Sequence, residues 1–133
     1  MPKTEPNTTY CPATQKCIIV LATTIGKQRP EVVGADLPDA SRRVHAGLIQ
    51  ITLPILRATR EALADLAQRA YAAPADALLV ISFSDLAERE RTYRGYATAL
   101  AATPTAALQH LGLALCGDKR LVTSLTGNLR LLR

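Results

Sequence analysis

Leu111-Gly-Leu-Ala-Leu-Cys116, then Gly117-Asp-Lys-Arg120, Leu121-Val-Thr-Ser-Leu125 and Gly127-Asn128, is the stretch on which the fold turns. It reads as a buried strand, a tight Gly-Asp corner and a short helix closed by a glycine. That succession is the grammar of an α/β sheet, and the corner sets two cations, Lys119 and Arg120, beside a helix N-terminus.

Upstream, Leu78-Leu-Val-Ile81 is a continuous apolar run, which predicts a strand covered on both faces. Ser82, Ser84 and Asp85 end it, at the position where open α/β sheets bind ligands. The helix that follows carries Tyr93, Tyr96, Ala97 and Leu100 on one side, with Glu88, Arg89, Glu90, Arg91 and Arg94 elsewhere. Thr103-Pro104 breaks it, and residues 105–109 predict one more helical turn. An earlier helix is predicted after Thr59, its N-cap, with Glu61 in the first turn, an apolar stripe of Leu63, Leu66, Ala67 and Ala70, and Pro74 as its stop. Before it, residues 48–56 alternate: Ile49, Ile51, Leu53 and Ile55 on one side, Gln50 and Thr52 on the other. That period of two predicts a strand, with Pro54 consigning it to an edge or an end.

Residues 16–22, Lys-Cys-Ile-Ile-Val-Leu-Ala, are ambiguous. Their β-branched content favours a buried strand, while Ile18, Leu21, Ala22 and Ile25 share a helical spacing with Gly26 placed as a stop. The strand is the preferred reading. Residues 1–15 carry three prolines and predict an irregular extension before a single α/β domain over 16–133.

Composition narrows the function classes. Aromatic residues are scarce, so the core is built from Leu, Ile, Val and Ala. The net charge of +5 comes from 16 Lys+Arg against 11 Asp+Glu, and the cations are scattered. That suits a solvated surface better than a nucleic-acid face, although an acidic partner such as RNA stays open. Cys11, Cys17 and Cys116 lack CxxC spacing. Cys17 and Cys116 read as buried small hydrophobes. No secretory leader is legible, and the run from Cys17 to Ala22 is too short to cross a bilayer, so the expectation is a cytoplasmic protein without a membrane partner.

The blocks Gly26-Lys-Gln-Arg-Pro-Glu-Val-Val-Gly34, Val44-His-Ala-Gly-Leu48, Leu53-Pro-Ile-Leu56 and Gly112 through Leu132 resemble a family of uncharacterised bacterial proteins. That family, classed as a domain of unknown function, is similar to the type II peptidyl-tRNA hydrolases. The resemblance covers most of residues 16–133 and is most specific in the C-terminal block. It implies a three-layer α/β sandwich, with a mixed sheet of about four strands and helices on both faces, and a homodimeric assembly. It implies no established reaction. The hydrolases' Gly-Lys followed by Ala-Gln and His-Ala is not found after Lys16 or after Gly26-Lys27, and their Asp-Ala-Gly-x-Thr segment is missing. Residues 16–21 match the family's first strand and residues 24–31 the end of its first helix, so the helix between them looks deleted or heavily shortened.

Candidate sites come with plain alternatives. Gly117, Asp118, Lys119 and Arg120 form a corner able to hold an anion; alternatively, Gly117 permits the turn and Asp118 caps the helix. Ser84 and Asp85 are ligand-site candidates, and helix capping is their plain alternative, Asp85 and Glu88 having capping-box spacing. Tyr93, with Arg94 and Tyr96, brings a phenol and a guanidinium to the same cleft, or flanks the core. His45 and His110 are lone histidines without metal-ligand spacing, and His45 has no nucleophile to serve as a general base. No cofactor fingerprint is present. Three functions follow as expectations: a small-molecule or partner-binding domain, an RNA-linked ester hydrolase with relocated catalytic groups, and a truncated member that dimerises over an uncovered face.

Overall fold

The computed structural model describes residues 12–131. Its first element is a helix, α1 (Pro12–Gln28), and not the strand that the β-branched content of residues 16–22 favours. Cys17, Leu21 and Ile25 stand four apart and are all buried, a single stripe along one side of the helix. The β-branched residues of this run disfavour a helix by at most about 0.7 kcal/mol each. Burying a side chain such as Leu21 or Ile25 returns about 1.5–3 kcal/mol, and the helical period wins. The first helix, expected to be deleted or heavily shortened, is therefore present; among the described residues it is the first strand that does not form. α1 begins at Pro12, inside the stretch expected to be irregular, and residues 1–11, Cys11 among them, lie outside the described residues.

A 3-10 turn over Pro30–Val32 follows, then β1 (Leu37–Pro38), β2 (Val44–His45) and β3 (Leu56–Arg57). Next come α2 (Arg60–Tyr71), β4 (Leu78–Ser84), α3 (Asp85–Arg89), α4 (Tyr93–Ala101), a 3-10 turn over Thr105–Ala107, β5 (His110–Gly117), α5 (Lys119–Thr126) and β6 (Arg130–Leu131). Thr59 caps α2 as its position predicts, its hydroxyl accepting the Ala62 N–H at 3.1 Å. Asp118 caps α5 by accepting the Leu121 N–H at 3.3 Å. The helix expected after Ser84 is in fact two. α3 stops at Arg89, and Thr92 recaps the chain by accepting the Gly95 N–H at 2.9 Å to begin α4.

The single mixed sheet of about four strands is not what forms. Among the described residues three separate two-stranded antiparallel ladders do: β1–β2, β3–β6 and β4–β5. The alternating run over 48–56 contributes only Leu56 to a strand, plus one isolated bridge between Val33 and Ile49. Ile49, Ile51, Leu53 and Ile55 all stay exposed. The period of two is real, but Pro54 offers no N–H to a ladder, and these side chains meet no opposing layer among the described residues.

Helices on both faces do form, around the β4–β5 ladder. Leu78 and Val80 of β4, with Leu113 and Leu115 of β5, face Leu66 and Ala70 of α2 and Leu125 of α5. Ile81 and Phe83, with Ala114, face Cys17 and Leu21 of α1. Strand alternation alone sorts these two sets. The molecule is thus helix, ladder, helix, an α/β arrangement in which the middle layer is two strands wide. Among the described residues no helix is long and apolar enough to cross a membrane.

Candidate functional site

Seen from α2, the β4–β5 ladder is apolar for most of its length and turns polar at one end. Ser82 and Ser84 continue the face begun by Leu78 and Val80, because residues two apart along a strand point the same way. Across from them, β5 carries one residue more than β4 needs. Phe83 pairs with Gly112 and Ser84 with His110, so Leu111 is the extra residue of a β-bulge. Without that bulge His110 would be out of step; with it the imidazole returns to the face of the two serines.

The result is a triangle of polar side chains. The Ser82 hydroxyl and His110 Nδ1 are 2.6 Å apart, a short hydrogen bond. Ser84 stands directly across the ladder from His110. Its residue is only 2% exposed and its hydroxyl has no partner among the described residues. The Tyr71 ring, on the last turn of α2, lies 6.4 Å from the His110 ring, tilted by 39°.

Electrostatics keep this end largely neutral. Burial holds the His110 imidazole below the ordinary histidine range, the Asp85 charge pulling partly the other way. Partial burial, and then the nearby Tyr96 phenol, push the Tyr71 hydroxyl upward, so it stays a protonated donor. Tyr96 in turn meets Tyr93 edge-on at 5.8 Å. Tyr93 is 83% exposed, so it does not flank the core; it is the outer member of an aromatic group at this end.

Ser84 and Asp85 do not cap α3. Ser84 makes no side-chain capping bond. The Asp85 carboxylate instead accepts the Gln109 N–H at 3.3 Å, while the Asp85 N–H donates to the Gln109 carbonyl at 2.9 Å. Asp85 thus fastens the residue just before His110.

Gly117, Asp118, Lys119 and Arg120 lie at the other end of the ladder, where Leu78 pairs with Gly117. Six strand steps separate the two ends, about 20 Å, so no single cleft holds both Ser84 and Gly117. Parallel strands would bring their C-terminal ends together; the antiparallel pairing sends them apart. Gly117 has no left-handed φ; its glycine is needed because a side chain there would overlap the Ala77 carbonyl. Asp118 has its carboxylate committed to the α5 cap, and Lys119 and Arg120 are exposed.

Elsewhere, His45 Nε2 lies 2.8 Å from the Asp39 carboxylate in the β1–β2 hairpin, whose turn Asp39 also holds by accepting the N–H groups of Ser41 and Arg43. No cluster of three metal-ligating side chains occurs among the described residues. Cys17 and Cys116 are free thiols; burial, then the Glu88 charge, push the Cys17 thiol up, which disfavours its thiolate.

The pairing of Ser82 with His110 is not evident from the sequence. One signal is legible there: Ser82 and Ser84 share the face of Leu78 and Val80, so two hydroxyls are bound to be turned toward a helix. What is not legible is the bulge that brings His110 across.

No curated protein is similar enough to the chain to count as a relative. The structure is similar to that of Atu0240, a protein of unknown function from Agrobacterium, with a TM-score of 0.82 at 16% sequence identity, covering 96% of this chain and 92% of that one. At that identity the likeness shows a shared fold alone. The family described as a protein of unknown function, DUF2000, matches residues 16–133; nearly the whole chain is included in the match, and the chain belongs to that family.

Proposed function

We propose that the protein is a small binding domain whose ligand is an uncharged, hydrogen-bonding molecule held at the bulged end of the β4–β5 ladder. The observation that carries this reading is the Ser84 hydroxyl, buried at the end of the apolar face without a partner among the described residues. An unpaired buried hydroxyl costs about 1–3 kcal/mol, which a ligand group bonded to it recovers. Its surroundings are neutral donors and acceptors: the Ser82 hydroxyl, a neutral His110 and the Tyr71 phenol. Asp85, the acidic group that acts on His110, disfavours an anion there. The test is an NMR titration of the His110 imidazole with N-methylacetamide, acetate and inorganic phosphate in parallel. A saturable shift with the amide, weaker or absent with both anions, is the expected result. Saturation by phosphate instead would overturn the reading.

A second reading is the RNA-linked ester hydrolase suggested by the resemblance to type II peptidyl-tRNA hydrolases. Exposed Lys119 and Arg120, on a corner where Asp118 is already engaged, favour it. It expects tRNA binding at low salt that weakens, with a shallower salt slope, in Lys119→Ala/Arg120→Ala. Absence of tRNA binding at low salt removes it. The homodimer implied by the same resemblance would bury the exposed Leu37, Val44, Leu48, Ile49, Ile51 and Leu53. A cytoplasmic location completes the reading, since the free thiols suit a reducing compartment.

A further inference from the structure

We infer that Ser82 and His110 are a nucleophile and its general base, and that the site cleaves small uncharged carboxylic esters through an acyl-Ser82 intermediate. This rests on reading the bulged end of the ladder as the ligand site, and adds a reaction to it.

Two observations converge. The first is the bond itself. A serine hydroxyl 2.6 Å from an imidazole nitrogen is within the reach that proton transfer from nucleophile to base requires. The imidazole is half-buried, and that burial, outweighing the Asp85 charge, keeps it in the basic form at neutral pH.

The second is the support behind the base. Gln109, which precedes His110, is clamped by Asp85 through two hydrogen bonds, one from its N–H and one to its carbonyl. His110 is thus set by the bulge on one side and by Asp85 on the other. Asp85 is a positioning residue in this scheme: its carboxylate also favours the imidazolium that forms when the proton arrives.

The step balances within these groups. Ser82 Oγ bonds to the carbonyl carbon as its proton passes to His110 Nδ1. The bond from carbon to the alcohol oxygen then breaks, and the alcohol leaves with that proton. Water then gives a proton to the same nitrogen and attacks the acyl carbon; the bond from that carbon to Ser82 Oγ breaks, Oγ takes the proton back from His110, and the carboxylic acid leaves. Ester and water are the only reactants. An uncharged acyl group suits a site whose acidic neighbour, Asp85, repels anions.

The experiment treats the folded protein with a fluorophosphonate probe, which serine attacks at phosphorus with loss of fluoride, and follows intact mass and peptide mapping. p-Nitrophenyl acetate turnover is measured alongside. A single adduct mapped to Ser82, at least about tenfold slower in His110→Gln and absent in Ser82→Ala, is expected, since a positioned base contributes about 10²–10⁴-fold. No adduct on the wild-type protein, an adduct on another residue, or equal labelling of His110→Gln would overturn the proposal. Mapping on the wild-type chain keeps that outcome independent of any folding defect in the variants. The N-methylacetamide titration separates the two levels: saturable binding without an adduct removes only the chemistry, whereas neither removes the site as well.

Discussion

The Cys17 thiol fills the space in which a side chain at position 112 would stand. α1 therefore rests directly on the backbone of β5, and the glycine is a condition of that contact. Gly112→Ala should destabilise the protein by about 1–3 kcal/mol. A lowered urea midpoint with an unchanged slope would report it. An unaltered midpoint would mean that α1 does not pack here.

The two serines should respond in opposite directions. Ser84→Ala removes a buried hydroxyl that lacks a partner among the described residues, and should leave the unliganded protein as stable or more stable by about 1 kcal/mol. Ser82→Ala strips His110 Nδ1 of its partner and should cost about 1–2 kcal/mol. Thermal melts of the two variants decide the point. Equal losses would contradict the assignment of Ser84 as the unpaired member.

Stability should fall with acid in two steps. His110 is held below the ordinary histidine range, so the unfolded chain takes up its proton first. Its share of stability is full above about pH 7 and is lost as pH falls through about 6.5 toward the folded-state value. Asp39 is lowered by His45 first and then by the Arg43 and Ser41 N–H groups. Its contribution stands above about pH 4 and is lost below it. Melting temperatures of the wild-type protein and His110→Asn between about pH 7 and 3 should converge in the upper step and share the lower one. A variant with the same upper step as the wild type would exclude His110 as its source.

The exposed aliphatic side chains of residues 33–55 set a further expectation. If a second copy covers them, sedimentation equilibrium of the wild-type protein gives a dimer, and Leu48→Ser/Ile51→Ser gives a folded monomer. Leu48 is 81% exposed, so the substitutions should leave each chain's own folding within about 0.5 kcal/mol. A wild-type monomer at high concentration would remove the assembly.

Local chemistry makes α2 and α5 legible in the sequence, because a cap, an apolar stripe and a stop all fall within one window: Thr59 and Pro74 for α2, Asp118 and Gly127 for α5. The strands β4 and β5 are legible as apolar runs of strand length. Residues 16–22 mislead because a short apolar run satisfies both periods, and only packing on β5 breaks the tie. The run over 48–56 errs the other way. Its alternation is correct as a pattern, yet no layer faces it among the described residues. Whether β4 and β5 run parallel depends on the path between them, which the strands' own residues do not encode. That one unknown hides His110 from Ser82.

Because the pairing of β4 with β5 is antiparallel, the Ser82–His110 end and the Lys119–Arg120 corner share a scaffold but no surface. A cation swapped at Lys119 changes nothing in the surroundings of Ser82, and a hydroxyl lost at Ser82 leaves the α5 corner as it was. Selection can therefore reshape one end without disturbing the other, so the two are free to drift at different speeds among the protein's kin.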